Sequence, residues 1–244
     1  MYLKFEKEQP VIEDRKESQN PQPQIMMYNE NMSKENGLTI EVYEKYGNKY
    51  LARNAEDIKH NQRTRMNNDR HMRQLKKYLH GLSKESKIFE IGSASGRDAK
   101  IIQSLGYTNI TVSDVTNYFL GLLEQQGFLP LKFNLITDDF TEKYDFIYCW
   151  AVLVHFTKSE AKQAIRKMFE ALNNNSRIAL CVQSRDGYEE AWMDRDGRIG
   201  AKRYFSYWTK NELQDYMREV GFKNIQIESN IGTKSHWLEC CAEK

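Results

Sequence analysis

The stretch Lys87-Ile-Phe-Glu-Ile-Gly-Ser-Ala-Ser-Gly-Arg-Asp98 decides the fold of this chain. An apolar run that carries an acid, Glu90, leads into a turn of small residues, and a helical pattern begins at Gly96. Small residues let backbone N–H groups approach a ligand closely, and the first turn of the following helix offers unpaired N–H groups at the same place. The stretch therefore predicts a strand that delivers its carboxyl end to a ligand.

The spacing of the glycines excludes the two commonest phosphate-binding loops. A dinucleotide fingerprint needs glycine at the first, third and sixth positions, and counting from Gly92 puts Ala94 and Arg97 at the other two. The sequence contains no Gly-Lys-Ser or Gly-Lys-Thr, so it has no P-loop motif either. The turn must serve another kind of ligand.

The segment from Glu90 to Gly96 resembles motif I of class I S-adenosylmethionine (SAM) dependent methyltransferases. In that family an acid ends the first strand and a Gly-x-Gly-x-Gly loop follows. Ala94 replaces the middle glycine, and alanine is small enough to keep the backbone close if its φ is negative. The resemblance covers roughly residues 85–244 and implies SAM as the cofactor. It assigns the methionine end of SAM to Glu90, Gly92, Ser93, Ala94 and Gly96.

A second acid follows at the spacing that a ribose would need. Asp114 ends the next predicted strand, 109–113, about twenty residues after the loop, where an acid can accept from two ribose hydroxyls. The resemblance assigns Asp114 to the ribose of SAM, and the alternative role is a helix N-cap. The predicted cofactor residues also include four that follow the second, third and fourth strands: Val115, Asn134, Leu135 and Trp150.

Strand and helix patterns alternate to the end of the chain, which predicts an α/β fold. Helices are predicted over 96–105, 115–126, 157–172 and 209–221, and strands over 109–113, 129–135, 144–154, 177–183, 222–228 and 235–242. The third and fourth of these helices begin with capping boxes. The resemblance implies a Rossmann-like sheet of seven strands, mostly parallel with the last strand antiparallel, helices on both faces and an N-terminal helical extension.

Composition divides the chain into three parts. Residues 1–36 carry three of the four prolines and little periodicity, which predicts a disordered or partner-dependent tail. Residues 37–84 are predicted to form a helical lid or extension, and residues 85–244 the SAM-dependent methyltransferase domain. Within the extension, residues 53–80 hold eight Lys and Arg against three acids. This excess indicates either the solvated face of a helix or a lid beside the cofactor.

The acceptor is expected at the carboxyl ends of the central strands, where open α/β sheets bind ligands. His155 follows the fourth strand and is either a general base or a histidine hydrogen-bonded to the backbone. Residues 184–207 form a long predicted loop, similar to one that lines the acceptor pocket in a subset of the family. Its arginines suit a carboxylate or phosphate, unless they pair with acids of the same loop. The predicted substrate-binding residues are Tyr43 and Tyr46 of the lid and Arg198, Arg203, Tyr204 and Tyr207 of the loop.

Overall composition narrows the remaining possibilities. The 244 residues suffice for one domain with additions, and the mean hydropathy of −0.76 predicts no membrane span. No export signal opens the chain, and all four cysteines fall on predicted strands without metal-ligand spacing, so we expect a cytoplasmic protein with reduced thiols and no metal. The net charge of only +2 argues against a nucleic-acid partner.

We therefore expect methyl transfer from SAM to an oxygen or nitrogen of a small polar or anionic metabolite or natural product. Three other functions are also compatible with the sequence. The basic residues 53–80 motivate a tRNA-modifying methyltransferase, and a SAM derivative could donate a larger group than methyl. A catalytically silent scaffold, acting through a protein partner of the N-terminal tail, is the third.

Overall fold

The computed structural model describes residues 32–60, 62–185, 187–194, 199–231 and 236–244, with the backbone alone for residues 53–60, 62–68 and 231. Most of the predicted tail, residues 1–31, lies outside the described residues. No helix in the described ranges is long and apolar enough to cross a membrane.

A seven-stranded sheet forms the centre of the fold. The described strands are β1 Ile88–Ile91, β2 Ile110–Asp114, β3 Leu131–Lys132, β4 Tyr144–Trp150, β5 Leu172–Ser184, β6 Glu190–Met193, β7 Arg203–Ser206, β8 Lys223–Ile231 and β9 His236–Glu243. The order in the main sheet is β3-β2-β1-β4-β5-β9-β8. Strand β9 runs antiparallel to both of its neighbours, whereas β1 to β5 pair in parallel. The predicted fold class and the inserted antiparallel strand are confirmed.

Helices cover both faces of this sheet. They are α1 Lys34–His60, α2 Gln62–Leu79, α3 Arg97–Ser104, α4 Asn117–Gln125, α5 Lys158–Ala171 and α6 Lys210–Val220, with a 3-10 turn at Leu153–His155. Alternating strand residues feed two cores: Phe89 faces the side of α5 and α6, and Ile88 faces the side of α2 and α3. The chain reverses its strand order between β1 and β4, which opens a crevice at their carboxyl ends.

Both predicted capping boxes are present. Thr157 accepts from the backbone N–H of Glu160, and the Glu160 carboxylate accepts from the Thr157 N–H in return. Thr209 and Glu212 repeat the arrangement at the start of α6, which ends at Gly221 with φ 115°. Each cap contributes about 1 kcal/mol to stability. Local sequence signals therefore set these two helix starts correctly.

Several predicted boundaries are wrong, each for a local reason. Strand β4 ends at Trp150 rather than at residue 154, because Ala151 takes a left-handed φ of 59° and the chain turns there. Strand β3 has two residues instead of seven, and Leu129 before it is 96% exposed. Residues 173–175, predicted to end a helix, belong to β5. The predicted loop 184–207 contains the β6–β7 hairpin, in which Trp192 pairs with Tyr204.

Candidate active site

Two cavities meet at the carboxyl ends of β1, β2 and β4. The first, of about 150 Å³, is mostly apolar and will be called the apolar cavity; its walls include Asp114, Val115, Phe119, Asn134 and Leu135. The second, of about 460 Å³, will be called the polar cavity; its walls include Glu90, Ser93, Asp98, Arg203 and Glu239. Eight residues line both cavities: Tyr43, Tyr50, Ile91, Gly92, Ala94, Trp150, Ala151 and His155. The two cavities therefore share a wall that contains the motif I loop.

Every second residue of the motif I loop has a left-handed backbone conformation. Gly92, Ala94 and Gly96 have φ values of 68°, 44° and 70°. The condition of a negative φ at Ala94 is thus not met, and this alanine holds the backbone conformation that glycine adopts without steric cost. Gly96 lines neither cavity. Its α-carbon faces Leu123, and Gly96 serves as the N-cap residue of α3.

Glu90 is a buried carboxylate at the floor of the polar cavity. It is 3% exposed, accepts a hydrogen bond from the Ser93 hydroxyl at 2.8 Å, and forms no ion pair with a described residue. Burial, together with the nearby charge of Asp98, raises the pKa of Glu90 to about 8. Asp98 differs because it is paired: although burial opposes its ionisation, contact with Arg97 at 2.8 Å keeps the pKa of Asp98 below its usual value.

Asp114 lies at the end of β2 and faces the apolar cavity. One carboxylate oxygen accepts from the N–H and hydroxyl of Thr116, both at 2.9 Å, and the other accepts from the N–H of Ala94 at 3.1 Å. Burial raises the pKa of Asp114. The N-cap of α4 is Thr116, which accepts from Phe119 N–H, so the N-cap alternative for Asp114 is wrong. Asp114 instead positions the loop through Ala94.

The chemistry of these groups fits SAM. A buried carboxylate without a counter-charge is costly, and the walls of the two cavities hold two, Glu90 and Asp114, neither of which is ion-paired to a described side chain. The ammonium and sulfonium charges of SAM would offset that cost, and ribose hydroxyls can donate to Asp114. Apolar walls at Val115, Phe119 and Leu135 suit an adenine ring.

A chain of three side chains crosses the wall shared by the cavities. His155 Nδ1 lies 2.8 Å from the backbone oxygen of Tyr204, and because a carbonyl only accepts, Nδ1 carries the proton. When the ring is neutral, Nε2 therefore accepts from the Tyr43 hydroxyl, also at 2.8 Å. The Tyr43 oxygen in turn accepts from Arg203 Nη1 at 2.7 Å. His155 is therefore bonded to the backbone, as one alternative predicts, and its other ring nitrogen contacts the Tyr43 hydroxyl; a role as general base stays a prediction.

Helix α1 brings Tyr43 to this place. Its Asn36 side chain donates to the His155 carbonyl at 3.3 Å, and its Thr39 hydroxyl accepts from Tyr204 N–H at 3.0 Å. Glu44 accepts from the N–H of Asn117, in the first turn of α4, at 2.7 Å. A carboxylate is favourable at a helix N-terminus. Helix α1 is therefore fastened on both sides of the cavities.

The structure brings most of the predicted site residues together. Ten of them line one or both cavities: Glu90, Gly92, Ser93, Ala94, Asp114, Val115, Asn134, Leu135, Trp150 and His155. Of the predicted acceptor residues, Tyr43 and Arg203 also line the polar cavity. Arg203 forms no ion pair with any acid in the described ranges. Among the described residues, Arg203 therefore does not pair with an acid of the loop 184–207, as the alternative for these arginines would require.

Three predicted acceptor residues lie outside both cavities, and one lies outside the described residues. The Tyr46 ring sits beside the amines of Lys45 and Lys49 at 5.2 and 5.0 Å. The rings of Tyr204 and Tyr207 are buried elsewhere: that of Tyr204 packs against Trp192, and the Tyr207 hydroxyl reaches the Met193 sulfur. Arg198 falls in the undescribed range 195–198.

Other residues of the site were missed. Tyr50 lines both cavities, and its spacing of seven residues from Tyr43 placed it on the same helix face. Glu239 is only 4% exposed and lies among the apolar residues of strand β9. A charged residue within an apolar strand is the sequence signal that could have identified it as a site residue. Residues 53–80 are predicted to form either a helix with a solvated face or a lid beside the cofactor. Helix α2 has features of both, since Leu75 packs in the core while His71 lines the polar cavity.

Comparisons with known proteins agree with this site. A family model described as a methyltransferase domain matches residues 58–227. No significant similarity to a curated protein sequence is found. Magnesium protoporphyrin IX methyltransferase of Synechocystis PCC 6803, solved with bound SAM, is similar in structure: 14% identity, a TM-score of 0.66, and coverage of 88% of this chain and 99% of that one.

Two further solved structures have the same fold. The N-methyltransferase NodS of Bradyrhizobium japonicum WM9 has 16% identity and a TM-score of 0.60 over 83% of this chain and 98% of its own. The 1,6-didemethyltoxoflavin-N1-methyltransferase of Burkholderia thailandensis has 17% identity and a TM-score of 0.56 over 82% and 89%. Because the family model spans well over half of the sequence, the chain belongs to the methyltransferase domain family, as a class I SAM-dependent methyltransferase.

Proposed function

We propose that this enzyme transfers the methyl group of SAM to an oxygen or nitrogen of a small polar or anionic molecule. The observation that carries the proposal is the shared wall: Tyr43 and His155 line both cavities, and the polar cavity extends from the motif I loop to Arg203 and Glu239, which leaves space for an acceptor beside the methionine end of the donor. The similar structures named for magnesium protoporphyrin IX and 1,6-didemethyltoxoflavin methylation support a small acceptor.

The chain's own residues would hold the donor at both ends. Glu90 and the N–H groups of the motif I loop, in the polar cavity, would bind the methionine end. Asp114 would bind the ribose, and Asn134 and Leu135, in the apolar cavity, would contact the adenine edge. When bound, SAM supplies an electrophilic methyl group on a sulfonium, ready for in-line displacement. The protein's main contribution is then alignment of the two reactants.

The proton of the nucleophile has a path through the shared wall. An acceptor O–H or N–H that meets the Tyr43 oxygen passes its proton there, while the Tyr43 proton moves to His155 Nε2 and leaves an imidazolium. Burial raises the pKa of Tyr43 above its usual value, although the charge of Arg203 opposes this. A free phenolate is therefore disfavoured, so Tyr43 relays the proton and His155 holds it.

Transfer of label from [methyl-³H]SAM tests the proposal. Purified enzyme is incubated with labelled SAM and a metabolite extract, and the small-molecule, RNA and protein fractions are counted separately. We expect label in the small-molecule fraction, lost in Tyr43→Phe and kept in Tyr188→Phe, whose ring is 49% exposed. Label confined to RNA would instead establish the tRNA alternative, and SAM binding without any labelled product would indicate a silent scaffold.

A further inference from the structure

Arg203 is a buried cation without a counter-charge among the described residues. It is 3% exposed, and no described acid lies within 4.0 Å of its guanidinium nitrogens. Its Nη1 donates to the Tyr43 hydroxyl, and its Nε has no hydrogen-bond partner. A charged group that is buried and only partly bonded costs free energy, so its retention at a cavity wall points to a ligand.

The surroundings of Arg203 are neutral and aromatic. Its guanidinium carbon lies 5.2 Å from the centre of the Tyr43 ring and 5.4 Å from that of Phe205. Aromatic faces attract a cation but offer no acceptor in the plane of the guanidinium. The edge formed by Nε and Nη2 is the edge that Tyr43 does not use.

The other two arginines of the polar cavity already have partners. Arg70 is paired with Glu239, which also accepts from the Gln74 amide. Arg97 is paired with Asp98 through two contacts of 2.8 Å. In the part of the chain that the structure describes, Arg203 is thus the arginine of the polar cavity that is not paired with a carboxylate.

We propose that the methyl acceptor carries a carboxylate that binds to the Nε and Nη2 edge of Arg203; this inference rests on the proposed function. A guanidinium edge matches a carboxylate in shape, through two parallel hydrogen bonds, and one guanidinium balances one negative charge. A phosphate monoester carries more charge than this single cation offsets.

The same geometry restricts where the nucleophile stands on the acceptor. The Tyr43 oxygen contacts both Arg203 Nη1 and His155 Nε2. A carboxylate held at Arg203 therefore places the neighbouring atoms of the acceptor beside Tyr43, where the proton leaves. The acceptor class is a hydroxy or amino acid whose O or N lies close to its carboxylate.

Matched acid and amide probes test the carboxylate. The protein is saturated with S-adenosylhomocysteine, and the dissociation constants of acetate, acetamide, benzoate, benzamide and phenyl phosphate are measured by titration with NMR detection. We expect each acid to bind about tenfold or more tightly than its amide, as a charge-assisted pair would give. Arg203→Gln should abolish the difference, Arg203→Lys should reduce it, and Arg218→Gln on the surface of α6 should leave it intact.

Equal binding of acid and amide would overturn the proposal, as would a preference that survives in Arg203→Gln. Tighter binding of phenyl phosphate than of benzoate would overturn the carboxylate in favour of a phosphate. If Arg203→Gln does not fold, the acid preference of Arg203→Lys tests the proposal instead, because lysine keeps the positive charge but lacks the two parallel N–H groups of the guanidinium. Failure of S-adenosylhomocysteine to bind would refute the proposed function, whereas intact binding without acid preference would refute this inference alone.

Discussion

The affinity for SAM should rise with pH because Glu90 must ionise to balance the ligand's positive charge. With the pKa of Glu90 raised to about 8, roughly 1% of the protein is ionised at this residue at pH 6 and roughly 10% at pH 7. The dissociation constant should therefore fall about tenfold over this interval, which corresponds to about 1.4 kcal/mol. The ammonium group of SAM stays protonated in the same window, so the ligand does not cause the change.

Calorimetric titration at pH 6, 6.5 and 7 in buffers of different ionisation enthalpy measures both the affinity and the proton released on binding. Glu90→Gln mimics the protonated acid, so its affinity should not change between pH 6 and pH 7. The variant should bind more weakly than the wild type at both pH values, and the difference should widen about tenfold by pH 7. Glu85→Gln, at an exposed position in the turn before β1, serves as the matched control. A flat wild-type profile, or a slope that persists in Glu90→Gln, would refute the reasoning.

Three further substitutions test the loop and the proton path. Gly92→Ala places a Cβ 2.5 Å from Val152 Cγ2 at a φ of 68°, so it should cost about 2–5 kcal/mol in thermal unfolding, and Val152→Ala should restore only the packing part. Ala94→Gly should raise the free energy of unfolding by about 0.5–1 kcal/mol, because it relieves the left-handed alanine; a lower melting temperature would contradict this. Tyr43→Phe and His155→Gln should each lower methyl transfer about 10²–10⁴-fold, and the double variant should be no worse than either; additive losses would show that the two side chains act separately.

The fold could be predicted from the sequence to the extent that signals were local. The motif I loop and the two capping boxes depend on residues within one or two turns of each other, and Asp114 follows the loop by one strand–helix–strand unit; the structure has all of them. The hairpin of β6 and β7 was missed because its strands have four residues each and pair only with each other. Short strands carry too little periodicity to separate them from a loop.

The acceptor side could be predicted only in part, because it is assembled from distant segments. Tyr43 and His155 are 112 residues apart, and no spacing in the sequence joins them. Composition pointed to the aromatic and basic residues of 184–207, but it could not tell that Arg203 faces the polar cavity while Tyr204 and Tyr207 face away. Alternation along β7 separates Arg203 from Tyr204 by face, but the face that meets the cavity depends on how the β6–β7 hairpin packs on the rest of the chain.

Helix α1 carries Tyr43, one member of the proposed proton path, so the activity of the site depends on how this helix packs. With α1 detached, Tyr43 leaves His155, and the imidazole loses its link to the polar cavity. The same helix thus helps to form the wall between the cavities and, in the proposed mechanism, the proton path, so loosening α1 would weaken the alignment of the reactants and the removal of the proton together.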